Sequence, residues 1–216
     1  CEHTSSLPRE KEDIAYAAQH GMWFCPTHVV CKTLPDYVWN GKQLTEVEHF
    51  EDLPECIRKR WEEENEITCE NYRKLGIKPD FQTIIDRGRT FLEYSDRVMA
   101  GTDCPYAGVV PGFAMADELE SLVDAYGMTR YAALAAATSR PAEYIGISDQ
   151  KGKLLPGLDS DLIVLEENPL EAVGAVRKIR MVFQGENVWD KEVLDGFLKA
   201  AGRLTQEEIE FIPLKI

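Results

Sequence analysis

Short apolar runs and amphipathic patterns alternate along residues 1–150, and the pattern becomes strand-like beyond Gly152. Apolar positions at helical spacing predict helices over residues 8–19, 53–75, 78–94 and 113–126. The apolar runs 22–27 and 97–100 are too short for helices and predict buried strands. Strand–helix–strand order of this kind is typical of a parallel sheet whose connections are helices.

The later part of the chain carries clear capping and turn signals. Thr129 predicts the start of an Ala-rich helix over residues 131–137, and Pro141 and Gly146 predict the first turn and the end of the next one. Strands are predicted over residues 162–165, 179–183 and 188–189, with a helix over 191–200 and an acidic tail after it. Residues 32–52, rich in turn residues and aromatics, predict a loop over the mouth of a site, where it would set substrate choice.

Composition narrows the functional class. A hydrophobic fraction of 44% is ordinary for a folded protein, and 216 residues suffice for a core but fall short of the about 250 of a complete eight-unit barrel. The net charge of −14 argues against nucleic acid and against an anionic membrane surface as partners. No apolar run approaches the roughly 20 residues of a membrane-spanning helix. We therefore expect an acidic protein that acts on a small-molecule substrate.

The six cysteines are scattered rather than patterned, which predicts reduced thiols and a cytoplasmic location, although an upstream secretion signal is an open alternative. Cys25, His28 and Cys31 have a spacing that resembles a zinc knuckle. A structural zinc ion needs four ligands, and no second Cys/His pair stands nearby. We therefore interpret residues 23–27 as a strand rather than as part of a zinc site.

The most informative chemical group is Asp103, which follows the predicted strand 97–100 in the sequence Gly-Thr-Asp. A carboxylate just past the end of a parallel strand lies where α/β barrels place their chemistry. Catalytic zinc uses nitrogen and carboxylate ligands, and a carboxylate beside the metal can accept a proton from water and pass it to a leaving amine. The alternative is an Asp that closes the turn through local hydrogen bonds.

Two further segments follow Asp103: Ala-Thr-Ser-Arg-Pro-Ala at 137–142 and Pro-Gly-Leu-Asp-Ser-Asp-Leu-Ile-Val at 156–164. In order and spacing they resemble the C-terminal third of the metal-dependent amidohydrolase superfamily, with Ser160 where that family usually has Ala. Glu2-His3-Thr4 is similar to the segment that ends barrel strand six in the imidazolonepropionase-like and prolidase-like branch, with Thr4 in the usual Gly position.

The resemblance implies an α/β fold: the C-terminal portion of a TIM-type (β/α)8 barrel, strands six to eight with their helices, plus strands of a small β-sandwich. Residues 1–150 would form the barrel part, residues 151–190 the sandwich strands, and residues 191–216 a C-terminal helix and tail. The family's His-x-His, its bridging lysine and its strand-five His all belong upstream of Cys1. The N-terminal half of the enzyme is therefore expected to be absent from this sequence.

The resemblance also implies a site. His3 and Asp103 would be ligands of a divalent metal, most simply zinc, with one or two ions in the complete enzyme. Metal-bound hydroxide would attack a carbonyl and Asp103 would shuttle the proton, cleaving a cyclic amide, an N-acyl amino acid or an X-Pro-type dipeptide. His28, just past a predicted strand end, is a candidate substrate-binding residue, with a core histidine as the alternative.

Two other expectations concern the chain by itself. His3 and Asp103 are one ligand short of the usual three, so the isolated chain is expected to be inactive, and a non-catalytic structural or interaction domain without metal is the rival reading. A half-barrel would also leave open edges and an inner face, formed by Phe24 or Cys25 with Thr27 and Met99, in contact with water. This predicts a homo-oligomer, or pairing with the missing half.

Overall fold

The computed structural model describes residues 1–76, 78 and 80–210. Its α-helices, in chain order, are α1 (Lys11–Gln19), α2 (His28–Thr33), α3 (Glu55–Leu75), α4 (Phe81–Leu92), α5 (Ala114–Asp124), α6 (Arg130–Ala136), α7 (Ser139–Tyr144), α8 (Lys191–Ala201) and α9 (Gln206–Glu210). Its strands are β1 (Leu162–Leu165), β2 (Ile179–Gln184) and β3 (Asn187–Asp190). The helices predicted before residue 130 begin and end within three residues of these bounds. Part of the predicted acidic tail, residues 211–216, lies outside the described residues.

Three extended segments lie side by side and run parallel. Glu2 forms a parallel bridge with Cys25, and Phe24 forms one with Val98. The N–H of Met99 donates to the carbonyl of Phe24 at 2.9 Å, which continues the second contact. The parallel order expected for the runs 22–27 and 97–100 is therefore observed, and the start of the chain supplies the third segment.

These contacts are isolated bridges rather than the continuous strands that the sequence predicts. Pro26 has no N–H with which to continue the pairing with the third segment beyond Phe24. The chain then turns at Thr27, and the N–H of Ala100 donates to the carbonyl of Ala136 at 2.8 Å instead of to a neighbouring extended segment. The three segments consequently pair over only a few residues before each one enters a turn.

The largest apolar cluster lies between the extended segments and the helices α1, α4, α5 and α6. Phe24, Phe91, Val98 and Leu122 are each 0% exposed, and the rings of Phe24 and Phe91 have centroids 5.1 Å apart. Helix α6 packs closely through Ala133 and other small residues. This cluster holds the extended segments against their helices, so their carboxyl ends emerge at one edge.

Residues 32–52 form short helical segments, and the prediction of a loop is wrong. After α2, a π-helix spans Leu34–Trp39, and 3₁₀ turns span Leu44–Glu46 and Phe50–Asp52. Their apolar side chains are buried against α3 in a second cluster, where Phe50 is 1% and Trp61 4% exposed. The turn residues of this stretch signalled a loop, but its aromatic and aliphatic residues drive it onto α3.

The three strands predicted after Gly152 are confirmed. They form one antiparallel sheet in the order β1-β2-β3, with Val182 of β2 opposite Ile163 of β1 and Trp189 of β3. Asp190 ends β3 and caps α8, since its Oδ1 accepts the Val193 N–H at 3.1 Å. The sheet therefore leads directly into the predicted C-terminal helix.

The side chains expected to face water are mostly covered from within the chain. Phe24 is 0%, Cys25 6% and Thr27 2% exposed, whereas Met99 is partly exposed. That expectation is wrong for the first three, because the helices and the Gly101 backbone pack against them. The homo-oligomer stays a prediction. Among the described residues, none of the helices has the length and apolar character needed to cross a lipid bilayer.

Gly101 provides a test of how the second and third segments pack. A Cβ at this position would lie 2.4 Å from the Cys25 Sγ atom, so Gly101→Ala is expected to cost about 1–3 kcal/mol in the free energy of unfolding. The same change in a Cys25→Ala background should cost much less, as measured by urea denaturation. Gly196→Ala in α8, with no atom near its Cβ, is the control and should stabilise by about 0.5–1 kcal/mol. Equal costs of Gly101→Ala in both backgrounds would contradict this packing.

Candidate metal centre

His3 and Asp103 meet at the carboxyl ends of the first and third extended segments. The Nε2 atom of His3 lies 3.9 Å from Oδ2 of Asp103. Their side chains are 37% and 51% exposed, so the pair is open to solvent on one side. The structure thus brings together the two residues predicted as metal ligands. They come from the two outer segments of the parallel layer, the first and the third.

The backbone is strained at the carboxyl end of each segment. His3, Thr27 and Asp103 have φ values of 65°, 47° and 55°, in the left-handed region that favours glycine. Thr27 is the most unusual of the three because it is β-branched. Each such residue costs about 1–3 kcal/mol and persists only where its surroundings hold it, which is common at functional sites. The strain therefore coincides with the candidate site.

Thr27 supports the imidazole of His3. Its Oγ1 lies 2.7 Å from Nδ1 of His3, and the Thr27 side chain belongs to the second segment, which lies between the other two. With Nδ1 engaged in this way, Nε2 is the nitrogen that faces Asp103. Sequence reasoning missed Thr27 as a site residue, although its place at the end of a predicted strand was a usable signal.

The donor set fits a divalent metal in chemistry but is incomplete in number. An imidazole nitrogen and a carboxylate oxygen are ligands of catalytic zinc, which ordinarily has three protein ligands. In the described part of the chain, no group of three or more His, Cys, Asp and Glu side chains is placed to hold a metal ion. His3 and Asp103 therefore offer two potential donors, one fewer than the three protein ligands that catalytic zinc ordinarily has.

His28 lies one residue beyond Thr27 but faces a different environment. It is 5% exposed, and its ring contacts Phe81 and Tyr126, with Nδ1 3.4 Å from the Tyr126 hydroxyl. Burial, together with a smaller effect of the nearby Lys32, lowers the pKa of His28 to about 4. His28 lines a cavity of about 610 Å³ that neither His3 nor Asp103 lines. Substrate binding by His28 stays a prediction.

Glu118 is a buried carboxylate that sequence reasoning missed. It is 0% exposed on α5, and its two oxygens accept the N–H groups of His28 at 3.1 Å and Val29 at 3.0 Å. Burial raises the pKa of Glu118 to about 7, against the lowering effect of those two N–H groups. The sequence presents Glu118 within a charged stretch of an amphipathic helix, where nothing marks it as buried.

The thiols of Cys25 and Cys31 have different surroundings. The Sγ atom of Cys25 packs against Gly101, whereas that of Cys31 lies 3.8 Å from Thr27 Oγ1. Burial raises the pKa of Cys25 to about 12, with a contribution from Glu2, so its thiol holds its proton. All six cysteines are free thiols. The interpretation of residues 23–27 as an extended segment, rather than as part of a zinc site, stays a prediction as far as metal binding is concerned.

A family comparison adds to this geometry. The sequence model of the Amidohydrolase family matches residues 2–188, which is most of the chain. This chain belongs to the amidohydrolase family. A curated relative, the amidohydrolase tasK of Hapsidospora irregularis, is 42% identical over 101 residues, which are 47% of this chain and 9% of the relative.

Solved amidohydrolase structures share the fold. A bottromycin amidohydrolase is 22% identical with a TM-score of 0.63, over 94% of this chain and 48% of that one. A Xaa-Pro dipeptidase with bound methionine is 20% identical with a TM-score of 0.56, over 88% of this chain and 39% of its own. The chain thus spans less than half the length of these proteins.

The two buried groups Glu118 and His28 predict opposite effects of pH on the stability of this chain. The raised pKa of Glu118 means that its contribution to the free energy of unfolding is lost as pH rises from about 4.5 to 7. The lowered pKa of His28 means that its contribution is lost as pH falls from about 6.5 to 4. Each contribution to the free energy of unfolding amounts to about 3 kcal/mol. Because the two contributions change with pH in opposite directions, they largely cancel in the wild type.

Single variants separate the two effects. Relative to the wild type, the stability of Glu118→Gln should rise with pH and that of His28→Gln should fall, measured by urea denaturation between about pH 5 and pH 7.5. Glu120→Gln, on the same helix and paired with Arg177 at 2.8 Å, is the control and should follow the wild-type profile. Parallel profiles for all the variants would show that neither group titrates as described.

Proposed function

We propose that this chain contributes to the active site of a metal-dependent hydrolase that cleaves carbon–nitrogen bonds other than ordinary peptide bonds. The observation that carries the proposal is the approach of His3 to Asp103, at 3.9 Å, in a member of the amidohydrolase family. The substrate classes proposed are a cyclic amide, an N-acyl amino acid and an X-Pro-type dipeptide. The fold shared with a Xaa-Pro dipeptidase is consistent with the last of these.

The proposal includes the arrangement of the fold. The segments that end at His3, Thr27 and Asp103 would be strands six, seven and eight of a TIM-type barrel, with β1–β3 belonging to a small β-sandwich. Parallel bridges between the segments and site residues at their carboxyl ends support this assignment. Strands one to five, with the remaining metal ligands, would come from residues outside this sequence.

His3 through Nε2 and Asp103 through its carboxylate would hold the divalent metal, most simply zinc, with one or two ions in the complete site. When bound, such an ion polarises a substrate carbonyl and lowers the pKa of water. Asp103 would accept a proton from the attacking water at a carboxylate oxygen and deliver it to the leaving amine. Its 51% exposure leaves this carboxylate accessible to substrate.

Residues 32–52 would determine which substrate enters. Part of this stretch lines the cavity beside His28, and His49 and Asp52 line a second, more apolar cavity of about 750 Å³. Pro105, two residues past Asp103, also lines the second cavity. An apolar substrate group would find a complementary surface there.

Replacement of Asp103 tests the catalytic role. In the longest natural protein that carries this sequence, Asp103→Asn should lower kcat/KM by about 10²–10⁴-fold, because the amide cannot accept and deliver the proton. Asp96→Asn is the matched control, at the opposite end of the same extended segment with its side chain 87% exposed, and should leave turnover unchanged. Undiminished hydrolysis by Asp103→Asn would refute the proposal.

A second candidate function is a non-catalytic structural or interaction domain that keeps the fold without metal. The shortage of donors favours it for the chain by itself, since the described residues offer no group of three or more metal-binding side chains.

Metal analysis of the longest natural protein that carries this sequence separates the two candidates. The hydrolase proposal predicts about one or two equivalents of tightly held zinc per protein chain, and His3→Ala should reduce this zinc content. His20→Ala is the control and should leave the zinc content unchanged, because the His20 ring stacks on Tyr16. A metal-free protein that folds normally would favour the non-catalytic domain.

A further inference from the structure

The imidazole of His3 is partly exposed, so its orientation depends on the few groups that touch it. We propose that Thr27 and Glu118 are positioning residues for His3: Thr27 holds Nδ1 of the imidazole, and Glu118 holds Thr27 in the conformation that makes this contact. The inference rests on the proposed function, because it explains how one of the proposed metal ligands is oriented.

The direct contact is the hydrogen bond between Thr27 Oγ1 and His3 Nδ1, at 2.7 Å. Thr27 is 2% exposed, so water has little access to compete for its hydroxyl. The Cys31 Sγ atom, at 3.8 Å, gives the hydroxyl proton a second partner. In the proposed arrangement Oγ1 accepts from Nδ1–H, which leaves the lone pair of Nε2 on the side of Asp103. Fixing the second ring nitrogen in this way is how metal-binding histidines are ordinarily oriented.

The contact depends on an unusual backbone conformation. Thr27 has φ 47° and ψ 47°, which a β-branched residue avoids unless both of its neighbours are held. Before it, the Pro26 carbonyl accepts hydrogen bonds from the N–H and the hydroxyl of Thr4, each at 3.1 Å. After it, α2 begins, and the Thr27 carbonyl accepts the Cys31 N–H at 3.1 Å.

Glu118 fixes the chain immediately after Thr27. The first N–H groups of a helix have no partner within the helix, and Glu118 accepts two of them, from His28 and Val29. Its 0% exposure keeps these bonds away from water, and its place on α5 ties α2 to the central core. Glu118 thus acts on His3 only through Thr27.

The test reads the tautomer of His3 directly. Protein labelled with ¹⁵N at histidine is examined by two-bond ¹⁵N–¹H correlation spectra at about pH 8, where imidazoles are ordinarily neutral. The wild type and Thr27→Ser should show His3 in the Nδ1–H form, whereas Thr27→Val and Glu118→Gln should shift it toward the Nε2–H form. Thr33→Val, which removes another buried hydroxyl of α2, and Glu120→Gln are controls that should leave His3 unchanged.

Zinc affinity of the longest natural protein that carries this sequence gives a second readout. Thr27→Val and Glu118→Gln should weaken zinc binding about 10- to 100-fold, and Thr27→Ser should retain it.

A His3 tautomer that is Nε2–H in the wild type, or unchanged in Thr27→Val, would overturn the positioning role. If Glu118→Gln does not fold, the Thr27→Val and Thr27→Ser pair decides. A wild type that binds no zinc contradicts the proposed function, and the tautomer alone then decides the positioning role.

Discussion

Hydrogen bonds along both edges of residues 24–25 align the three extended segments of this protein. On one side the Cys25 N–H donates to the Cys1 carbonyl at 2.9 Å, and on the other the Phe24 N–H donates to the Arg97 carbonyl at 2.9 Å. Because both contacts are parallel, the three carboxyl ends emerge at the same edge. His3, Thr27 and Asp103 meet there, so the candidate site depends on the pairing of a very short central segment.

The pairing is short because each segment enters a strained turn almost at once. A longer regular strand would carry these residues past one another and would alternate their side chains between the two faces. The residues with left-handed backbone end the pairing of the segments at the candidate site. Burial of the apolar core supplies the free energy that offsets their backbone strain. Stability therefore comes from the apolar side chains that the segments bury against the helices, and site geometry comes from the turns at their carboxyl ends.

The sequence predicts much of this arrangement, since helical periodicity marks the main helices and alternating apolar runs mark the sheet after Gly152. It also predicts that His3 and Asp103 belong together, although on a family resemblance rather than on spacing. It does not predict Thr27 or Glu118. The end of a predicted strand marks the position of Thr27 but not its left-handed backbone, and the burial of Glu118 by elements distant in the chain leaves no local pattern. For the same reason the sequence predicts a loop over residues 32–52, because the helical turns there depend on burial against α3.

Because Cys25 packs closely against Gly101, the side-chain volume that one of these positions can hold depends on the other, although they are far apart in the sequence. The sulfur occupies the space that a side chain at residue 101 would need, so the pair shares one fixed volume between two segments. Cores tolerate exchanges that conserve total volume far better than exchanges that add to it. Across related proteins of this fold, residues 25 and 101 should therefore covary. A larger residue at 101 should accompany a smaller one at 25, and that reciprocity would keep the spacing on which the neighbouring Asp103 depends.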